Sequence, residues 1–293
     1  MVIHMTVTLI TGANSGIGRA TALKLAAEGH QVFAGMRDLA KGTKLLELAG
    51  DLDVTAVQID VSDDASVQQC ADSVLARAGH VDVLVNNAGV GFNAVTEDID
   101  IEAAKAVMDV NVWGAVRCVK AFVPKMRERG TGHVVNITSI AGLISAIAQT
   151  VYVGSKFALE GMSESLAQEL APFGIGVSII EPGVTRTAIL PKNEGHPTPT
   201  AYGDAYQRMF EFYASGIGAN VQADVVADTI YEAITTANPK LRWTCAWGGD
   251  EIATGRKQMS DEEWVALGAS ALEPAEYHDR FEAAFGLDIR PTV

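Results

Sequence analysis

Tyr152 and Lys156 are the two residues of this sequence whose types and spacing best suit proton-transfer chemistry. If the segment that holds them is helical, they lie four residues apart on one face, where their side chains meet. A phenol has an unperturbed pKa of about 10, and a nearby positive charge lowers that value by favouring the phenolate. Tyr152 could then exchange protons nearer neutral pH. Helices without any catalytic role also carry this pair, so the rest of the chain has to support the interpretation.

A hydroxyl group at the end of a predicted strand gives the first support. Residues 133–138 are apolar and rich in β-branched side chains, which predicts a strand, and Ser139 follows them directly. Open α/β sheets bind ligands at the carboxyl ends of their strands. Ser139 is therefore predicted to face a bound substrate, and the apolar segment 140–151 is predicted to overhang it.

The composition excludes several classes of partner. The chain has 293 residues and a formal net charge of −14, which argues against nucleic acid and anionic membranes, since both require basic patches. No apolar run is long enough to span a bilayer, and we expect no leader segment. The three cysteines are scattered and odd in number, which predicts reduced thiols in a cytoplasmic protein. The histidines show no ligand spacing, so we expect no metal site.

A glycine-rich turn between a predicted strand and a predicted helix is the candidate nucleotide site. The strand covers residues 6–10 and the helix residues 19–28. Glycines let the backbone approach a pyrophosphate, and the helix N-terminus offers free N–H groups. The spacing of Gly12, Gly16 and Gly18 differs from the GxGxxG of the commonest dinucleotide fingerprint, so a plain glycine turn is the alternative.

The end of the second predicted strand indicates which nicotinamide cofactor is used. Many such proteins carry an acidic residue there that binds the ribose hydroxyls, whereas this chain has Met36, Arg37 and Asp38. Arg37 could pair with a 2′-phosphate, and Met36 leaves no carboxylate to repel that phosphate. Asp38 could instead hold Arg37. We expect NADP(H) to be preferred over NAD(H).

The next two predicted strands also end in residues that suit a nucleotide. Asp60 ends the third strand within reach of an adenine, although a solvated cap is the alternative. Ser62 is predicted to be the N-cap of the following helix, with Asp63 in its first turn. Residues 86–89 follow the fourth strand, where small residues let a flat ring approach the backbone, or where the asparagines stabilise a turn.

Two later helical patterns carry further candidates. A long pattern covers residues 101–129, with a kink predicted at Pro124 and with Asn111 on an otherwise apolar face, which suggests a functional role for that amide. A second pattern covers residues 202–217. It places four apolar or aromatic side chains on one side, where they could line a substrate cavity or belong to the core: Tyr206, Met209, Phe210 and Tyr213.

The order of elements predicts the fold class. Six alternating strand–helix units and a seventh strand imply an α/β protein with a Rossmann-type, doubly wound, seven-stranded parallel sheet and helices on both faces. A cofactor would lie across the point where the strand order reverses, between the glycine turn and the Ser139 and Tyr152 region.

In this order and spacing the motifs resemble the short-chain dehydrogenase/reductase family, and within it the steroid and retinol dehydrogenase branch. The resemblance covers about residues 5–247. The residues that carry it are Thr11, Gly12, Gly16, Gly18, Asp60, Asn86, Asn87, Ala88, Gly89, Asn111, Ser139, Tyr152, Lys156, Pro182, Gly183 and Thr187.

The resemblance implies a role for each residue. Tyr152 would be the general acid and base, Ser139 would position the carbonyl, and Lys156 would bind the nicotinamide ribose and lower the pKa of Tyr152. Asn111 would hold a water that links Lys156 to solvent. The cofactor-binding residues implied are Gly12, Asn14, Ser15, Gly16, Ile17, Gly18, Arg37, Asp60, Val61, Asn87, Ala88, Gly89, Tyr152, Lys156, Pro182, Gly183, Val184 and Thr187.

The resemblance also implies a single Rossmann-fold domain over residues 1–293. Within it, residues 188–220 would form a substrate lid and residues 248–293 a C-terminal extension. The family is usually dimeric or tetrameric, so we expect a homodimer or homotetramer, with Trp113, Val116 and Phe122 either forming the contact face or packing on the sheet.

We therefore expect an NADP(H)-dependent oxidoreductase that interconverts a ketone or aldehyde and an alcohol on a lipophilic small molecule. One alternative is a 3-oxoacyl-carrier-protein reductase, which needs a basic docking patch for an acidic partner. The net charge and the lack of a basic residue in segment 171–174 disfavour it. The other is a regulator that binds a nicotinamide cofactor, which the intact set of four catalytic residues disfavours. The enoyl reductases of the same superfamily place two further residues between the Tyr and the Lys, so the spacing of Tyr152 and Lys156 disfavours an enoyl reductase.

Overall fold

The computed structural model of the protein describes residues 5–187, 200–269 and 273–290. Within them, seven strands form one parallel sheet, as the sequence predicts. The strands are β1 Val7–Thr11, β2 Gln31–Met36, β3 Val54–Gln58, β4 Val83–Asn86, β5 Gly132–Ile137, β6 Ile175–Pro182 and β7 Arg242–Cys245. Their order in the sheet is β3-β2-β1-β4-β5-β6-β7, and it reverses between β1 and β4.

Helices cover both faces of the sheet, because successive side chains of a strand point to opposite sides. Leu9 of β1 packs into one apolar layer with Phe122, and the adjacent Ile10 packs into the other layer with Leu25. The helices are α1 Gly16–Ala27, α2 Thr43–Ala49, α3 Asp64–Ala78, α4 Ile101–Met108, α5 Gly114–Arg129, α6 Thr150–Leu170, α7 Gly203–Gly218, α8 Ala223–Thr235, α9 Gly249–Gln258, α10 Asp261–Leu267 and α11 Pro274–Phe285.

Two local predictions differ from the structure. Asp63, not Ser62, is the N-cap of α3, and its carboxylate accepts hydrogen bonds from the backbone of Ala65 and Ser66. The predicted helix over residues 101–129 contains a π-helical segment, Asp109–Trp113, between α4 and α5. Such segments are frequent at functional sites.

The C-terminal helices α9, α10 and α11 pack over the segment that follows β5. Ile140 and Ile144 of that segment share an apolar cluster with Ile252, Phe281 and Phe285. The ring centroid of Phe281 lies 6.0 Å from that of Phe212 on α7 and 4.7 Å from that of Phe285. The structure describes residues 200–220 of the predicted lid, and α7 within them packs against the C-terminal extension through Phe212, while residues 188–199 lie outside the described residues.

The Phe281→Ala substitution tests the single-domain prediction. Because it removes a buried ring, we expect the free energy of unfolding to fall by about 3 to 5 kcal/mol. Urea unfolding followed by fluorescence and by near-ultraviolet circular dichroism should show one coincident transition. Val265→Ala, at an exposed position of α10, should change stability by less than about 0.5 kcal/mol. Two separate transitions would contradict the prediction.

Candidate active site

A cavity of about 520 Å³ lies at the carboxyl ends of the strands and crosses the point where the strand order reverses. This volume is typical of small-molecule sites. The cavity runs from the glycine turn after β1 to Ser139, Tyr152 and Lys156. Of the predicted cofactor-binding residues, Gly18 does not line it; the others do.

The glycine turn fits an anionic group. Ser15, the N-cap of α1, makes no side-chain capping hydrogen bond, and no acidic residue stands in the first turn, so the helix N-terminus can accept an anion. Gly16 has φ of +53°, which favours glycine. A Cβ added at Gly16 would lie 3.2 Å from Cβ of Thr187, which places the segment after β6 directly beside the turn.

Asn87 fastens this turn to the end of β4. Its side-chain Nδ2 donates to the carbonyl oxygens of Thr11 at 2.8 Å and Gly12 at 3.2 Å. A Cβ added at Gly18 would lie 2.5 Å from Nδ2 of Asn87, so this position accepts only glycine. The hydroxyl of Thr11 accepts hydrogen bonds from the backbone of Asn87 and Ala88, both at 3.0 Å. These hydrogen bonds therefore hold the carboxyl ends of β1 and β4 together at the base of the cavity.

Basic side chains line the far end of the cavity. Arg37 and Lys41 are both there, and Lys41 was missed by the sequence analysis although it stands four residues after Arg37. Asp38 also lines the cavity, but its carboxylate accepts a hydrogen bond from the backbone N–H of Ala40 at 3.0 Å. Within the described residues Arg37 forms no ion pair, so the suggestion that Asp38 holds it is wrong.

Asp60 lies on the same wall. Its Oδ1 accepts hydrogen bonds from the Ser62 hydroxyl at 2.6 Å and the Ser62 backbone at 3.0 Å. Partial burial disfavours the charged form, but the two hydrogen bonds from Ser62 and the charges of Arg37 and Arg117 together lower the pKa of Asp60. Asp60 therefore stays ionised beside the cavity, and Ser62 holds the carboxylate instead of capping α3.

Ser139, Tyr152 and Lys156 meet in the middle of the cavity. The Ser139 hydroxyl hydrogen-bonds the phenol of Tyr152 and also donates to the Pro182 carbonyl at 3.3 Å. Both Tyr152 and Lys156 lie on α6, as the spacing predicts. The Lys156 ammonium lies 5.7 Å from the centroid of the Tyr152 ring and donates to the Ile137 carbonyl at 2.9 Å.

The electrostatics of this group differ from the expectation. Burial raises the pKa of Tyr152, and the hydrogen bond with Ser139 opposes that rise. Burial lowers the pKa of Lys156 to about 8, against the opposing charge of Glu160. A fall in the pKa of Tyr152 beside Lys156 is therefore not what the structure shows, because burial is the larger effect and the ammonium is bonded to a carbonyl.

Asn111 lies in the π-helical segment and does not line the cavity. Its Nδ2 donates to the Val90 carbonyl at 2.9 Å and to Oγ of Ser155 at 3.0 Å, and its Oδ1 accepts from the Val90 backbone at 2.8 Å. The amide thus ties the segment after β4 to α6, on which Ser155 lies beside Lys156. Its role in holding a water stays a prediction.

The remaining wall of the cavity is apolar with one polar cluster. Gln149 donates from Nε2 to Asn93 and to the Tyr213 hydroxyl, both at 2.8 Å. Of the four α7 side chains predicted to share a face, Tyr213 lines the cavity, Tyr206 and Met209 are buried in a separate cluster, and Phe210 is exposed. The apolar residues of this wall include Val90, Ile140, Ala141, Ile144, Ala146 and Phe212.

In the described part of the chain, no group of three or more His, Cys, Asp or Glu side chains is placed to bind a metal ion. The helices of that part are also too short or too polar to cross a bilayer.

Comparison with known proteins agrees with this geometry. A family model described as short chain dehydrogenase matches residues 6–197. The chain belongs to the short-chain dehydrogenase family. It is accordingly an oxidoreductase that acts on alcohol and keto groups.

Curated relatives of this dehydrogenase include two human enzymes. Retinol dehydrogenase 8 of Homo sapiens is 46% identical over 251 residues, which cover 80% of this chain and 79% of the relative. The 17-beta-hydroxysteroid dehydrogenase type 1 of Homo sapiens is 38% identical over 253 residues, which cover 81% and 76%. The dehydrogenase therefore stands close to the steroid and retinol branch of the family, as the motifs predict.

A solved structure extends the comparison to a bound cofactor. The short-chain dehydrogenase/reductase of Burkholderia phymatum, solved in complex with NAD, is 29% identical with a TM-score of 0.76, and the match covers 94% of this chain and 99% of that one.

Proposed function

We propose that this dehydrogenase uses NADP(H) to interconvert a lipophilic ketone or aldehyde and the corresponding alcohol, with Tyr152 as the general acid and base. The observation that carries the proposal is the continuity of one cavity. It joins the glycine turn, the two basic residues Arg37 and Lys41, and the Ser139–Tyr152–Lys156 group. A dinucleotide laid along it would present its nicotinamide beside Tyr152, and the relative solved in complex with NAD supports a nicotinamide cofactor.

The site residues suit proton transfer to a carbonyl oxygen. The Ser139 and Tyr152 hydroxyls are bonded to each other, so both can be redirected to one substrate oxygen and stabilise its developing charge. Tyr152 gives its proton to that oxygen during reduction and removes it during oxidation. The Lys156 ammonium stabilises the phenolate that remains. The bound nicotinamide supplies or accepts the hydride.

The cofactor preference rests on charge at the adenosine end. Arg37 and Lys41 line the cavity there, and in the described residues neither is neutralised by an ion pair. The buried Met36 stands where an acidic residue would bind the ribose hydroxyls of NAD. Because Asp38 accepts a hydrogen bond from the Ala40 backbone and Asp60 is held by Ser62, the two cations favour a 2′-phosphate, and therefore NADP(H).

The substrate preference rests on the apolar wall. Ile144 and Phe212 line the cavity, and both are backed by the aromatic cluster of α11. The names of the relatives, a retinol dehydrogenase and a hydroxysteroid dehydrogenase, support a bulky apolar substrate. The Gln149–Tyr213 pair offers one polar contact within this wall.

A cytoplasmic homodimer or homotetramer completes the proposal. Trp113, directly before α5, and Phe157, on α6, are exposed, and an apolar contact between copies would bury them. Phe122 is buried against the sheet, so of the three residues suggested for a contact face it belongs to the core.

Tyr152→Phe tests the catalytic assignment. We expect turnover to fall by about a thousandfold or more, because the proton donor is lost. NADPH affinity, measured by the quenching of protein fluorescence, should be unchanged within about twofold. Tyr231→Phe, outside the cavity, is the matched control and should keep full activity. Turnover retained by the Tyr152 variant would refute the assignment.

Arg37→Ala and Lys41→Ala test the cofactor preference. Each removes one charge-assisted contact to the 2′-phosphate, so the Kd for NADPH should rise by about 10- to 100-fold. The Kd for NADH should stay within about twofold in the same titrations. Lys44→Ala, an exposed lysine of α2 outside the cavity, is the control for general charge effects. An equal loss for both cofactors would contradict 2′-phosphate recognition.

A further inference from the structure

Arg242 of β7 joins three glutamates behind the active site. Its Nε lies 3.1 Å from Oε2 of Glu160 and 3.2 Å from Oε1 of Glu181, and its NH2 lies 2.8 Å from Oε1 of Glu164. The side chains of Glu160 and Glu181 are 6% and 1% exposed, whereas that of Glu164 is 51% exposed. One guanidinium therefore faces two buried carboxylates and one solvated carboxylate.

This cluster holds two buried carboxyl groups and a solvated one around a single guanidinium. Oε1 of Glu160 has no hydrogen-bond partner among the described residues, which is costly for a buried carboxylate. Burial raises the pKa of Glu160, and Thr138 and Arg242 oppose the rise. Burial and the charge of Glu160 raise the pKa of Glu181 to about 7. None of the catalytic steps described above uses these carboxylates.

Glu160 lies one helical turn after Lys156, and both side chains are buried. The turn after Ser139 lies against the same stretch of α6. A Cβ added at Gly142 would be 2.9 Å from Cγ of Glu160 and 3.2 Å from the Lys156 carbonyl oxygen. The Lys156 ammonium has the Ile137 carbonyl as its hydrogen-bond acceptor, and one neutral acceptor does not offset the burial of a full charge.

We propose that Glu160, held in place by Arg242, is a positioning residue that keeps the buried Lys156 ammonium charged beside Tyr152. The charge of Glu160 raises the pKa of Lys156 against the lowering by burial. The importance of this for turnover rests on the proposed function, whereas the link between Glu160 and Lys156 does not. The titratable and charged groups that face this pair are Tyr152, Glu164, Glu181 and Arg242, and Lys257 acts on Glu181.

The test measures the pKa of Lys156 directly. The full-length protein is labelled with 13Cε-lysine, its NMR spectra are recorded across a pH series, and the signal that Lys156→Met removes is assigned to Lys156. E160Q should lower this pKa by about one unit, because the compensating charge is lost. E164Q, which removes a carboxylate bonded to the same Arg242 but exposed, should change it by less than about 0.2 unit. An unchanged Lys156 pKa in E160Q, or equal shifts in both variants, would overturn the proposal.

A second pair of variants keeps the test decisive if E160Q does not fold. E160D retains the charge and should keep the Lys156 pKa within about 0.3 unit of the wild type, while the neutral E160N should lower it by about one unit. Equal values for E160D and E160N would overturn the proposal.

Kinetics separates this proposal from the proposed function. With NADPH and 1-tetralone as the probe ketone, the alkaline limb of kcat/KM should move to lower pH in E160Q and stay in place in E164Q. A structural role alone would reduce kcat without moving the limb. If no ketone is turned over while E160Q still lowers the Lys156 pKa, the proposed function fails and the electrostatic link stands.

Discussion

The active site depends on keeping one positive charge, the Lys156 ammonium, in a buried position. Burial works against that charge, and the hydrogen-bond acceptor of the ammonium is a neutral group, the Ile137 carbonyl. In the proposed mechanism Tyr152 needs the charge, because a phenolate formed during proton transfer is otherwise costly in a buried site. The role proposed for Glu160 accounts for a buried glutamate one turn later on α6 and for its ion pair with Arg242.

Side-chain hydrogen bonds at and after the strand ends hold the rest of the site together. Asn87 ties the glycine turn to β4, Asn111 ties the segment after β4 to α6, and the Ser139 hydroxyl reaches the Pro182 carbonyl at the end of β6. Each contact joins elements far apart in the chain. The C-terminal helices add the apolar wall by packing against Ile144 and Phe212. The substrate end of the cavity is thus set by the packing of the C-terminal helices, and the cofactor end by the glycine turn together with the hydrogen bonds that tie it to β4.

This division explains what the sequence could predict. The sequence predicts the fold class from the order of strands and helices along the chain. It predicts the glycine turn and the Ser139, Tyr152 and Lys156 group from local spacing. The prediction that Phe210 lies on the apolar face of α7 is wrong, because Phe210 is exposed. Phe212 lines the cavity instead, and it packs against the apolar cluster of the C-terminal helices. Lys41 carries no pattern of its own and is recognised only once the turn after β2 brings it to the cavity.

The cluster of Arg242 and its glutamates could not be predicted from the sequence either, because it too depends on contacts between distant parts of the chain. The cluster combines Glu160 of α6, Glu181 of β6 and Arg242 of β7. Their spacing in the sequence does not predict that these side chains come into contact. The expected fall in the pKa of Tyr152 also failed, because the four-residue spacing to Lys156 gives proximity but says nothing about burial. Burial and long-range ion pairs are properties of the folded chain.

The most direct test of the account is to follow nicotinamide absorbance while the purified protein is incubated with NADPH, and separately with NADH, across carbonyl compounds from small diketones to steroid-like ketones. The account predicts oxidation of NADPH in preference to NADH, with the bulky apolar ketones turned over best. Activity with NADH alone would contradict the role given to Arg37 and Lys41. Binding of NADPH without turnover of any carbonyl compound would contradict the proposed reaction.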